Sequence, residues 1–230
     1  MPSRALTNLC RDIIGCAACP RLVAFREEVA LRKRRAYATS TYWGRPVPGF
    51  GDALAKLVIV GLAPGAHGAN RTGRVFTGDR SGDFLYPALH RAGWASQGNA
   101  TSIEDGLVLR GAYILLAVRC VPPGNHPNPD EIDRCSSFFD AELALLREAR
   151  VVLALGAIGW GAYLGYLARH GYSLPRPKPR FGHGAELQPG PPFPTLLGSY
   201  HVSQQNTQTG KLTPTMFDQV LLRARKLAGA

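Results

Sequence analysis

Four short apolar runs recur along the chain, at Leu57–Gly61, Ala112–Val118, Val151–Leu155 and Thr195–Ser199. Each is bounded by polar, Gly or Pro positions. Each reads as a strand buried on both faces, because the run is short and apolar without polar alternation. Between these runs the apolar positions fall at helical spacing. Helices are expected over residues 82–91, with Phe84, Leu85 and Leu89 inward, and over 130–147, 158–170 and 214–227. Residues 4–35 read as two further helical pieces split at Gly15-Cys16-Ala17-Ala18-Cys19-Pro20, the second carrying Leu22, Phe25 and Val29 at helical spacing. Residues 40–52 and 173–193 read as Pro/Gly loops, and residues 95–110 as a surface insertion.

Strands that alternate with helices predict an α/β protein with a central four-stranded parallel sheet and helices on both faces. The length suits one domain over residues 1–230, with the Cys-bearing helical segment 1–40 packed on it. Parallel strands place all their carboxyl ends on one edge, so loops 61–79, 119–126 and 200–210 should meet there. The first of these holds Gly61, Gly65, Gly68, Gly73 and Gly78, which lets backbone approach a ligand closely. It has neither the Gly-Lys-Ser/Thr of a Walker A loop nor the spacing of a dinucleotide fingerprint.

Composition narrows the function classes. Hydrophobic content of 45% is enough for a real core. A net charge of +11 favours a polyanionic partner, most plausibly nucleic acid. No apolar run is long enough to cross a membrane. The opening MPSRALTNLCRDIIGC lacks the apolar core of a signal peptide, so a cytoplasmic, nucleoid-associated protein is expected. Five cysteines in such a chain point to metal or reactivity rather than disulfides.

Several residues carry candidate chemistry. Cys16 and Cys19 form a C-x2-C pair, and Cys120 with Cys135 a wider one. Four thiolates can hold zinc or an iron–sulfur cluster, and spacing alone leaves that choice open. Cys10 is the odd one out and is expected on a helix face. Asp79 is either a helix N-cap or a carboxylate that orients water. Phe76 is core or a stacking platform for a base. His67 and Asn70 have no evident structural task. His201 follows a strand, where it can donate to a developing negative charge or serve structurally. The polar loop after it, HVSQQNTQTGK, suits backbone and base-edge contacts or is an ordinary polar loop. Arg32-Lys33-Arg34-Arg35 is a phosphate contact or a solvated helix end.

Taken together, GLAPGAHGANRTGRVFTGD, HVSQQNTQTGKLT and the spacing of Cys16, Cys19, Cys120 and Cys135 resemble the uracil-DNA glycosylase superfamily. The likeness is closest to its family 5, the four-cysteine type B enzymes, and it runs from about Cys16 to the end. The resemblance implies an α/β/α fold and a [4Fe-4S] cluster, with zinc the lesser alternative, on those four cysteines. It also implies excision of a flipped-out base from double- or single-stranded DNA by a monomer. By the same resemblance Phe76 stacks on the base, Asn125 and His201 face it, and Asp79 positions the hydrolytic water. Backbone amides of the Gly61, Ala63 and Gly65 stretch would face the base oxygen, with His67 beside them. Ser203, Gln205 and Asn206 would enter the duplex.

The segment Gly61-Leu62-Ala63-Pro64 has no side chain to activate water, where many superfamily members carry Asp, Asn or Glu. The second strand ends in Ala117-Val118, where some carry a base-reading Asn. Both absences suit a roomier pocket that takes hypoxanthine or xanthine beside uracil. With no lysine at a nucleophile position, a monofunctional hydrolase is expected. The competing readings are a zinc-bearing nucleic-acid-binding module without enzymatic activity and a hydrolase of free nucleotides.

Overall fold

The computed structural model describes residues 4–229; what the sequence suggests for residues 1–3 and Ala230 lies outside the described residues. In chain order the elements are α1 (Arg4–Gly15), α2 (Pro20–Arg32), β1 (Phe50–Gly51), β2 (Leu57–Gly61), α3 (Ala69–Thr72), α4 (Arg80–Arg91), β3 (Ala112–Leu116), α5 (Pro129–Leu145), β4 (Val151–Leu155), α6 (Ala157–Arg169), β5 (Glu186–Leu187), β6 (Thr195–Ser199), α7 (Gln204–Gln208) and α8 (Pro214–Ala228). Single 3-10 turns lie at Arg35–Tyr37 and Pro123–Asn125.

The sheet runs β1-β3-β2-β4-β6-β5. The four expected strands form its parallel centre, with Leu57 opposite both Ala112 and Val151, and Val151 opposite Thr195. The sheet has six strands rather than four, because two-residue antiparallel strands close each edge, β1 on β3 and β5 on β6. Such short edges leave little exposed backbone for pairing with another chain.

Side chains alternate across the sheet and build two cores. Leu57, Ile59, Ile114, Leu116, Leu153 and Leu197 meet Leu85 and Leu89 of α4 and Phe217 and Leu221 of α8. Val58, Val60, Leu115, Val152 and Leu196 meet Phe139 and Leu143 of α5, Tyr163 and Leu167 of α6, and Leu6 of α1. Each fully buried aliphatic side chain contributes about 1.5–3 kcal/mol. The helices start where their sequences allow. Asn128 and Glu131 close a capping box on α5, and Thr213 caps α8 by accepting from Met216 N at 3.2 Å.

Residues 95–110 are not a surface insertion. Ala95, Ala100, Leu107 and Leu109 are buried in the first core beside Trp94. Asp105 takes a two-pronged ion pair from the buried Arg74, at 2.9 and 2.6 Å. A second buried pair joins Arg119 to Glu142, which also accepts from Tyr113 Oη at 2.6 Å and Gly49 N at 3.1 Å. Among the described residues no helix is long and apolar enough to cross a membrane.

Candidate active site

The chain leaves β2 for β3 on one side and then returns to β4 on the other. A crevice at the carboxyl edge forms where the winding reverses in this way. The loop after β2 and the loop after β6 meet over the end of β4. Phe76 and His201 lie with ring centroids 6.3 Å apart, inclined by 40°. Gly156, at the end of β4 with φ of 92°, lies beside His201, and a Cβ there would touch the His201 side chain. The two segments singled out in the sequence are therefore neighbours in space.

Phe76 is buried and held at φ 49°, a conformation that needs support for a residue with a side chain. The support is local. Arg74 Nε donates to Thr77 Oγ1 at 2.9 Å, Tyr86 Oη donates to Val75 O at 2.8 Å, and the Phe76 ring edge packs on Gly61. A Cβ on Gly61 would approach that ring to 2.9 Å, so the glycine admits it.

Asp79 is the N-cap of α4, its Oδ1 accepting from Gly82 N at 3.0 Å. Its other oxygen faces Gly65 and Gly68, and a Cβ on Gly65 would lie 2.9 Å from Oδ2. Burial raises its proton affinity above the usual carboxylate range, against the hydrogen bond from Gly82 and the positive charge of Arg71; Asp83 adds to the rise. Capping and an oxygen aimed at the glycine loop thus coexist in one carboxylate.

His201 is half-buried, and loss of hydration pulls its pKa down to about 4. It is a neutral imidazole at physiological pH. Asn206 Nδ2 donates to the His201 carbonyl at 2.8 Å and so fixes the backbone that carries the ring. Ser203 starts α7, its carbonyl accepting from Asn206 N and Thr207 N, while Gln205 is exposed. His67 is tied to Tyr42 Oη through Nδ1 at 2.9 Å; burial, then Arg34 and Arg71, lower its proton affinity. Asn70 is buried and donates to the Arg26 carbonyl at 3.2 Å, which gives it the structural task that the sequence hid. Asn125 stands exposed in the turn after β3 with φ 61°, its N–H donating to Pro122 O at 3.1 Å. Ala63 packs against the cysteine pocket.

The residue that sequence reasoning missed is Arg71. Its Nε donates to His67 O at 2.8 Å, its Nη2 to Gly78 O at 2.9 Å, and its guanidinium lies 4.1 Å from the Tyr37 ring centroid. One side chain thereby ties both ends of the loop that carries Phe76. Both its hydrogen-bond acceptors are main-chain oxygens, so no partner residue in the sequence announced it.

Cys19, Cys120 and Cys135 are buried together with Leu22 and Val118, and Cys16 adds a fourth sulfur to their surroundings. Burial pushes the Cys120 thiol up to about 11 and the Cys135 thiol in the same direction. Cys120 Sγ accepts from Arg26 Nη1 at 3.0 Å and Cys135 Sγ from Arg119 N at 3.4 Å. N–H donors aimed at buried sulfurs suit thiolates that ligate a metal centre. Among the described residues no three His, Cys, Asp or Glu side chains close on one point as a single ion requires. Cys10 lies apart, near Glu142, Arg119 and Tyr113.

Comparison with known proteins agrees with this arrangement. The profile of the Uracil DNA glycosylase superfamily matches residues 48–225. A type-5 uracil-DNA glycosylase of Mycobacterium tuberculosis is 53% identical over 93% of this chain and 78% of its own. Those of Thermus thermophilus and Pyrobaculum aerophilum are 52% and 42% identical, covering 95% and 94% of this chain and 96% and 91% of their own. A fold built around this crevice, a profile match over most of the chain and identity at this level place the chain in the uracil-DNA glycosylase superfamily, with the type-5 enzymes.

Proposed function

We propose that this chain hydrolyses the N-glycosidic bond of uracil, and of hypoxanthine and xanthine, in DNA and leaves an abasic site with the strand intact. The observation that carries the reading is the meeting of Phe76 and His201, from the loops after β2 and β6, with ring centroids 6.3 Å apart. A base turned out of the duplex stacks on Phe76 and presents its oxygen to His201 and to backbone N–H groups of the Gly61–Gly65 turn. The C1′–N bond breaks as the base takes the electron pair and leaves as an anion. A neutral imidazole stabilises that anion by hydrogen bonding without giving up its proton, which suits the depressed pKa. Asp79 holds water through the oxygen that Gly82 does not use, and water supplies the hydroxyl to C1′ and a proton to the departing base. Ser203, Gln205 and the start of α7 lie beside His201, positioned to follow the vacated stack, and Asn125 reaches the base from its exposed turn.

Cys16, Cys19, Cys120 and Cys135 hold a [4Fe-4S] cluster in this reading. Cys19, Cys120 and Cys135 share one buried pocket with Cys16 beside it, and N–H donors reach two of the sulfurs, which suits a cysteine-ligated cluster. The cluster fastens α2 to the chain after β3, and no chemical step passes through it.

The test is incubation with duplexes carrying uracil, hypoxanthine or xanthine, with and without alkali. Base release and strand breaks only after alkali are expected. Asp79→Ala and His201→Ala should lower single-turnover excision while DNA binding persists. Full activity in Asp79→Ala would leave that residue a cap and nothing more. Colourless protein that releases no base would favour the zinc-bearing binding module.

A further inference from the structure

The basic run Arg32-Lys33-Arg34-Arg35 has a definite shape. Helix α2 ends at Arg32, which pairs with Glu28 at 2.8 Å. Lys33 then turns the chain with φ 49°, and Tyr37 N donates to Arg34 O at 2.7 Å. The helix macrodipole therefore accounts for Arg32 alone, since its field acts only within the last turn. Arg34 and Arg35 lie beyond the helix and are exposed. Among the described residues neither has a carboxylate within ion-pair reach, whereas Arg21, Arg74, Arg91, Arg134, Arg169 and Arg223 each have one.

The same turn is fastened to the catalytic loop. The Tyr37 ring lies under the Arg71 guanidinium and 6.4 Å from the His67 ring. Tyr42 bonds His67 from the other side of the turn, and Arg34 is close enough to His67 to lower its proton affinity. Trp43 N and Gly44 N donate to the carbonyls of Arg71 and Asn70. Two exposed cations thus project from a turn that is fastened to the loop of the crevice rather than from a free arm.

We propose that Arg34 and Arg35 bind two backbone phosphates of the DNA strand beside the extruded nucleotide, an inference that rests on the DNA-repair reading above. Guanidinium groups match phosphate oxygens in geometry and charge. Each neutralised phosphate releases counterion, so affinity should fall with salt at a slope of about 0.9 per contact.

The experiment measures binding of the full chain to an undamaged duplex, and to one carrying a tetrahydrofuran abasic analogue, from 50 to about 400 mM salt. The double variant Arg34→Gln, Arg35→Gln should reduce the salt slope by about 1.8 and weaken binding by roughly 60-fold near 0.1 M salt. Arg34→Lys with Arg35→Lys should keep the slope. Arg147→Gln with Arg150→Gln removes the same charge at the opposite edge of the sheet, where β4 begins, and should leave the slope unchanged. An unaltered slope in the Gln pair, or a loss matched by the Arg147/Arg150 control, overturns the proposal. If the slope changes as expected but no base is released from any lesion, the glycosylase reading fails and the phosphate arm stands.

Discussion

Replacing Asp105 with Asn tests how the loop bearing Phe76 is held. The Asp105 carboxylate takes both prongs of Arg74, at 2.9 and 2.6 Å, and the N–H groups of Thr101, Ser102 and Leu107 at 2.7, 3.3 and 3.0 Å. Arg74 is only 3% exposed, so the amide would leave a guanidinium in the interior without its counter-charge. Breaking one side of a buried pair costs about 3–5 kcal/mol. For a chain of this size that lowers Tm by roughly 6–20 °C. Burial by itself would raise the Asp105 proton affinity, but Arg74 and the three N–H groups hold it well below the usual carboxylate range. Its contribution is therefore complete above about pH 4 and is lost as pH falls through the still lower native value. Urea unfolding of the parent, Asp105→Asn, Arg74→Met and the double variant closes a double-mutant cycle. The double variant should cost less than the sum of the singles by about 0.5–3 kcal/mol. A loss below about 1 kcal/mol in Asp105→Asn, or strict additivity, would refute the argument that this pair carries the loop.

Gly68→Ala places a methyl group on the Asp79 carboxylate, so single-turnover excision should fall by about tenfold or more and the strained α4 cap should lower Tm by a few degrees; rates equal to the parent would show that Asp79 moves freely. His201 has a native pKa near 4, below its unfolded value, so stability should decline as pH drops from about 6.5 towards 4. His201→Gln should flatten that part of the curve, as followed by thermal melting at each pH. Cys120→Ser should abolish iron–sulfur absorbance and lower Tm by several degrees, and a coloured variant with full iron content would remove Cys120 from the ligand set.

The central strands were legible because a strand buried on both faces must be a continuous apolar run, and Leu57–Gly61 and Val151–Leu155 are nothing else. The edge strands were not, since Phe50–Gly51 and Glu186–Leu187 owe their state to a neighbour rather than to their own residues. Residues 95–110 read as surface because their buried positions follow no period and Asp105 finds its cation 31 residues away. In the site, Phe76, Asp79 and His201 stood out through the paired motifs. Asn70 did not reveal its work, because its partner is a backbone carbonyl on α2 and carbonyls leave no mark in a sequence. Arg71 was hidden for the same reason, both its acceptors being main-chain oxygens.

The profile shared across the superfamily begins at residue 48, yet the braces of the loop that carries Phe76 begin earlier. Arg26 O receives Asn70, Tyr42 secures His67, and Trp43 and Gly44 grip the carbonyls of Arg71 and Asn70. Trimming the chain to the shared region would keep Phe76, Asp79 and His201 and remove the partners that hold His67, Asn70 and Arg71 in the same loop. A shortened variant therefore has to retain Arg26 and residues 42–44 or supply replacement partners for Asn70 and His67.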